Sequence, residues 1–180
     1  MHAASNEATA ASCPKGRCVP FTADVTLEKS WTGIVETASK SFATKFSVVV
    51  NCAGVVHIAA PSHTVPEDQF DLMFKVNVKP LYLSTKVVVP FWKENGIPGQ
   101  FINLSSISEP RPRPNLVWYA ASKGAVTVVS RTILAIIKSK KYCSFEHSRP
   151  REALPPNMPR IRSGTTALGR LWVKLLCEHS

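Results

Sequence analysis

Tyr119 and Lys123 stand four residues apart in the run Tyr119-Ala-Ala-Ser-Lys123. On a helix that spacing places both side chains on one face. A free tyrosine titrates near ~10 and is a poor base at neutral pH. An ammonium beside it favours the tyrosinate and lowers that value. The pair is therefore suited to exchanging a proton with an alcohol or carbonyl oxygen. Ser106 follows the apolar run Phe101-Ile-Asn-Leu104. It thus falls at the C-terminal end of a strand, where open parallel sheets bind their ligands. Its hydroxyl is suited to hold the same oxygen. Each residue has a plainer reading too: a surface tyrosine with a solvated lysine, and a serine capping a turn. Asn77, inside a long helical stretch, reads either as a functional amide or as part of a polar face or kink.

The surrounding elements follow from pattern. Residues 1–16 are small and polar without a period and read as a disordered start. Cys18 to Asp24 predicts a short strand. Leu27 to Ala43 predicts a helix, with Trp31, Ile34, Val35, Ala38 and Phe42 on one face and Thr26 as N-cap. The β-branched run Phe46 to Asn51 suits a strand buried on both faces of a parallel sheet. Cys52-Ala53-Gly54 then turns away. Glu67 to Glu94 predicts one long helix, closed by Asn95-Gly96. Phe101 to Leu104 is a second buried strand. A loop with Pro110, Pro112 and Pro114 cannot be helix interior. Val117 to Ile137 is a second long helix. Strand and helix in alternation predict an α/β fold with a parallel sheet.

Composition narrows the function classes. Apolar residues make up 44% and charged residues 19%, within the ordinary range for globular domains. No apolar run approaches the ~20 residues that span a bilayer. The first residues contain no apolar core of a secretory signal and little arginine, so a cytoplasmic location is expected. Five cysteines are scattered without a C-x-x-C pair, and no spacing suits a metal site. Cys52, in a strand context, reads as a buried thiol. His57 and His63 read as exposed loop histidines. Of the net charge of +10, residues 1–137 carry 13 Lys/Arg against 9 Asp/Glu, and residues 138–180 carry 9 against 3. The excess sits in the C-terminal segment, without a groove of interleaved aromatics, so no nucleic-acid partner is expected.

Taken in order, Asn51-Cys52-Ala53-Gly54, Asn77, Asn103-Leu104-Ser105-Ser106 and Tyr119-Ala-Ala-Ser-Lys123 closely resemble the short-chain dehydrogenase/reductase family. The likeness covers about residues 18–137. It implies hydride transfer between NAD(P)(H) and a small alcohol or carbonyl compound, with NADP slightly ahead of NAD. It implies catalytic roles for Ser106, Tyr119, Lys123 and Asn77, the last binding a water that links Lys123 to solvent. It implies cofactor contacts from Asp24 and Val25 at the adenine, from Asn51, Ala53 and Gly54 at the ribose, and from Lys86, Tyr119 and Lys123. Family members commonly oligomerise through the two long helices, so a homo- or hetero-oligomer is a possible partner state.

Two departures from the family stand out. Nothing upstream of Cys18 resembles its T-G-x-x-x-G-x-G phosphate loop. After Ile137 the composition changes, four prolines appear and the family's next strand and Pro-Gly turn are not recognisable, as after read-through or a shifted frame. A short helix over Thr165 to Cys177 is the one element expected there. The expected fold is an incomplete Rossmann-type parallel sheet flanked by helices and lacking the first βαβ unit. Residues 17–137 form a partial NAD(P)-binding domain, and 138–180 an irregular basic tail. Two functional readings remain open: an active oxidoreductase, or an inactive truncated relative that acts by oligomerising with an intact one.

Overall fold

The architecture comes from a computed structural model, which describes residues 11, 18–42, 45–137 and 143–148. The rest of the expected disordered start and the expected Thr165–Cys177 helix lie outside the described residues. Helix α1 spans Glu28–Ser41, strand β1 Val48–Asn51, α2 Glu67–Asn77, α3 Lys79–Glu94, β2 Gly99–Leu104, α4 Val117–Ile137 and β3 Cys143–Ser148. The strands form one open sheet in the order β1-β2-β3, parallel throughout. This is the α/β arrangement the alternation predicts, a small parallel sheet flanked by helices.

Five local expectations need correction. Cys18 to Asp24 is not a strand. In the Rossmann order the third strand joins the fourth only through two intervening strands. Among the described residues nothing occupies that gap, so the segment has no ladder to enter. It ends in a tight turn instead: the Asp24 carboxylate accepts the Thr26 N–H at 2.8 Å, and the Asp24 carbonyl accepts the Leu27 N–H at 3.1 Å. Leu27, not Thr26, occupies the N-cap of α1, and no side chain caps it. The predicted face of α1 is nonetheless the buried one, through Trp31, Ile34, Val35 and Ala38.

The helix expected over Glu67 to Glu94 is two. Pro80 has no N–H to continue the ladder and disfavours helical geometry in the residue before it. The break falls at Val78, with φ −114° and ψ −50°. Leu81 N–H bonds the Val78 carbonyl at 3.0 Å. The Asn77 carbonyl, its partner in a continuous helix, is left without that donor. Helix α3 then ends as expected on glycine. Gly96 has φ +64°, Ile97 N–H bonds the Trp92 carbonyl at 2.9 Å, and Gly96 N–H bonds that of Lys93 at 3.3 Å. These two bonds make a Schellman closure.

A third strand, β3, lies within the segment expected to be irregular. Cys143 pairs with Gly99 and Ser148 with Leu104. Its composition carries no β-branched run; what it has is the free parallel edge of β2. Finally, β1 and β2 are fully buried on one side only. Val49, Asn51, Gly99, Phe101 and Asn103 are buried, and the residues alternating with them are half-buried. Successive right-handed crossovers that move in one direction put their helices on one side of a sheet.

That side holds the core. Trp31, Val35, Val49, Val88, Trp92 and Phe101 belong to one buried cluster. Trp92 anchors it: its Nε1 donates to the Phe46 carbonyl at 2.9 Å, and its ring lies 4.9 Å from Phe101. The ring also covers Gly99 so closely that a Cβ there would run into it. Gly99→Ala should therefore destabilise the fold by about 1–3 kcal/mol, read as a lower urea midpoint. A midpoint unchanged from wild type would mean that the ring can move aside.

Candidate active site

Strands β1 and β2 end together, and the loops that carry the chemistry leave from this shared edge. Asn51 and Asn103 are register partners at the edge. Asn51 Nδ2 donates to Asn103 Oδ1 at 2.8 Å and reaches Ser84 Oγ of α3 at 3.2 Å. Asn103 Nδ2 donates to Ser130 Oγ of α4 at 2.9 Å. A chain of buried amides and hydroxyls thus fixes both long helices to the strand ends. In a low-dielectric interior such a chain is rigid when its members are paired. Asn51 Oδ1 is the member with no partner among the described residues.

The loop after β1 is held by Asn77. Asn77 Oδ1 accepts the Val55 N–H at 2.7 Å, and its Nδ2 donates to the Val55 carbonyl at 3.0 Å and to Ser122 Oγ at 2.9 Å. The family resemblance implies a water held at Asn77. Its side chain is spent on the loop backbone and on Ser122, and the break at Val78 takes the Leu81 N–H away from its main-chain carbonyl. Gly54 turns between these groups. A Cβ on Gly54 would stand 3.2 Å from Lys123 Nζ and 3.4 Å from Asn77 Oδ1. Any side chain at this position would crowd the ammonium and the amide.

Lys123 is buried on α4, and its Nζ donates to the Leu104 carbonyl at 2.9 Å. Burial pushes its pKa below the ordinary 10.5, while nearby Cys52 opposes the shift. Cys52 itself is a free, half-buried thiol rather than a fully buried one. Tyr119, one turn before Lys123, is half-buried, and its carbonyl accepts the Ser122 hydroxyl at 2.8 Å. Ser106 accepts the Ser108 N–H at 3.1 Å, a turn-capping bond that leaves its own proton to donate. Ser105 Oγ bonds the Lys123 carbonyl at 3.1 Å and Thr127 Oγ1 at 3.0 Å, which ties the β2 loop to α4.

Other expected positions lie differently. Asp24 is exposed and its carboxylate closes the turn before α1. Val25 is buried in the core, and its carbonyl accepts Trp31 Nε1 at 3.0 Å. Lys86 is paired with Glu28 at 2.7 Å across α3 and α1, and that hydrogen-bonded carboxylate holds its pKa above 10.5. His57 is not exposed: it is buried, with Nδ1 2.6 Å from the Ile58 carbonyl and Nε2 unpartnered among the described residues. The neighbouring carbonyl takes its ring N–H and allows the burial. His63 is exposed, in the short 3-10 turn Ser62–Thr64. Ser122 and Ser105 were not singled out from sequence. The available signal was a serine inside the Tyr–Lys spacing, since a polar residue within an apolar helix needs a partner.

Residues 1–141 match the family model for short chain dehydrogenase. The chain belongs to the short-chain dehydrogenase family. It is 34% identical over 111 residues to 4-formylbenzenesulfonate dehydrogenase TsaC1/TsaC2 of Comamonas testosteroni, covering 62% of this chain and 43% of that protein. It is 30% identical over 118 residues to glucose 1-dehydrogenase 2 of Bacillus subtilis (strain 168), covering 66% and 45%. The chain thus spans about half the length of the curated relatives it matches. Among solved structures, 3-ketoacyl-(acyl-carrier-protein) reductase from Brucella melitensis, complexed with NADH, superposes with a TM-score of 0.74 at 30% identity. That match covers 82% of this chain and 62% of the other.

In this family member the buried ammonium has a thermodynamic signature. Below its lowered pKa, Lys123 carries a charge that burial penalises. As pH rises from there toward 10.5, the folded chain sheds the proton while the unfolded chain keeps it, so stability rises. Lys123→Met should abolish that rise and melt no lower than wild type near neutral pH. Thermal melts of both proteins across the alkaline range check this; parallel curves would count against a penalised ammonium.

Proposed function

We propose that the chain is an NAD(P)(H)-dependent oxidoreductase acting on a small alcohol or carbonyl compound, with Tyr119 as proton donor and acceptor. The observation that carries the reading is the buried Lys123 ammonium, held beside Gly54 at the shared end of β1 and β2, one turn from Tyr119. When bound, the nicotinamide cofactor supplies or takes the hydride. The chain's own residues do the rest. In the reducing direction Tyr119 gives its hydroxyl proton to the substrate oxygen. Ser106 donates a second hydrogen bond to that oxygen. The Lys123 charge stabilises the tyrosinate left behind, and its lowered pKa eases the return of a proton. The freed Asn77 carbonyl is suited to hold a water on that path.

For the cofactor, the turn Asn51-Cys52-Ala53-Gly54 suits the ribose end, where a Cβ on Gly54 would crowd the buried ammonium. Asp24 is suited to an adenine amino group through its second carboxylate oxygen, and Val25 through its main chain alone. A contact from Lys86 requires release of Glu28. The similar reductase from Brucella melitensis, solved with NADH, supports a nicotinamide cofactor without choosing between NAD and NADP for this chain. A second reading, a non-catalytic chain that pairs with an intact relative through α3 and α4, is favoured by one observation. The sequence contains no T-G-x-x-x-G-x-G turn to hold a pyrophosphate.

Titration of the purified chain with NADPH and NADH, followed by tryptophan-to-nicotinamide energy transfer, separates the two. Saturable binding is expected from the first reading. Tyr119→Phe should then keep binding while slowing turnover by about a hundredfold or more. No saturation up to millimolar cofactor would leave the second reading.

A further inference from the structure

Nine large apolar side chains are exposed among the described residues, and four of them lie within four residues of Gly54, Ser106 or Tyr119 along the chain. Val56 (58% exposed) and Ile58 (69%) lie on the loop leaving β1, Ile107 follows Ser106, and Val117 precedes Tyr119 by two residues. These segments are tied together. Ala60 N–H bonds the Asn115 carbonyl at 3.0 Å, and Trp118 Nε1 donates to the Ser62 carbonyl at 2.9 Å. Phe70 of α2 packs edge-on against Trp118, at 5.3 Å between ring centres. A rim of apolar side chains kept exposed on a fixed frame can take up the apolar body of a ligand at little ordering cost.

The same rim carries unneutralised positive charge. Arg111 and Arg113 are exposed on the loop that joins Ser106 to Tyr119. Neither guanidinium has an ion-pair or hydrogen-bond partner among the described residues. The one acidic residue of that loop, Glu109, turns inward. Its Cγ is 4.0 Å from where a Cβ of Gly124 would be, and Oε2 is buried. Pro110, Pro112 and Pro114 alternate with the arginines. Each proline fixes its φ, so little entropy remains to be lost when the loop closes on a ligand. A guanidinium matches a carboxylate or sulfonate through two parallel hydrogen bonds.

We propose that this rim selects substrates with an apolar body and an anionic group, the anion being held by Arg111 and Arg113 while the carbonyl meets Tyr119 and Ser106. The inference rests on the proposed function for the position of the carbonyl, but recognition of the anion requires neither cofactor nor turnover.

The test is binding to the full chain without cofactor, by saturation-transfer NMR and calorimetry. The probes are para-carboxybenzaldehyde, benzaldehyde and para-trimethylammoniobenzaldehyde. The carboxylate should bind about tenfold more tightly than benzaldehyde, and the cationic aldehyde no better than benzaldehyde. The double variant Arg111→Gln/Arg113→Gln, confined to an exposed loop, should lose the carboxylate preference and leave benzaldehyde binding unchanged. Ile58→Asn should weaken all three. Equal affinity for the three probes, no binding of any, or a preference that survives in the double variant overturns the proposal. The proposed activity fails separately: selection of the anion with no NAD(P)H oxidation on any aldehyde refutes the activity and leaves the recognition standing.

Discussion

The carboxamide of Asn77 has one acceptor and two donor hydrogens, and each is used. The oxygen takes the Val55 N–H, and the nitrogen serves the Val55 carbonyl and the Ser122 hydroxyl. The side chain is almost wholly buried, at 1% exposed. One amide therefore fixes the loop after β1 to the helix that carries Tyr119 and Lys123. Without it, the Val55 N–H and carbonyl would lose their protein partner at this half-buried position. The break between α2 and α3 takes the Leu81 N–H away from the Asn77 carbonyl.

Around this latch the molecule pairs a polar network with an apolar base. The amide and hydroxyl chain from Ser84 through Asn51 and Asn103 to Ser130 sits at the ends of the strands. The aromatic cluster of Phe46, Trp92 and Phe101 sits farther along the same face. Apolar contact sets how deeply the helices bury, and the directional bonds set how they are turned about the strand ends. Lys123 is the element this arrangement does not favour energetically. Its burial lowers its pKa, and a single carbonyl bond offsets part of the cost. A buried ammonium is a cost that the packing around it must offset.

Much of this was legible in the chain itself. The alternating apolar runs gave an α/β order, the Val117–Ile137 helix has the bounds its pattern implies, and the ordered motifs from Asn51 to Lys123 named the family and the set of residues to inspect. The glycine closing α3 was readable because a positive φ is cheap only without a Cβ. Pro80 carried the signal for the helix break, but the apolar stripe running through it hid the interruption.

What the sequence by itself determined was residue chemistry and local geometry: which groups can move a proton, which segments can coil, and where glycine must stand. Those follow from neighbours along the chain. Only the tertiary structure decided which segment is a strand, since a ladder needs a partner; Cys18–Asp24 finds none among the described residues, and Cys143–Ser148 finds the edge of β2. It likewise decided that Asn77 binds the loop, that Lys86 meets Glu28 and that His57 is buried. Hydrogen bonds and burial are properties of pairs brought together from distant positions, and no spacing along the chain encodes them.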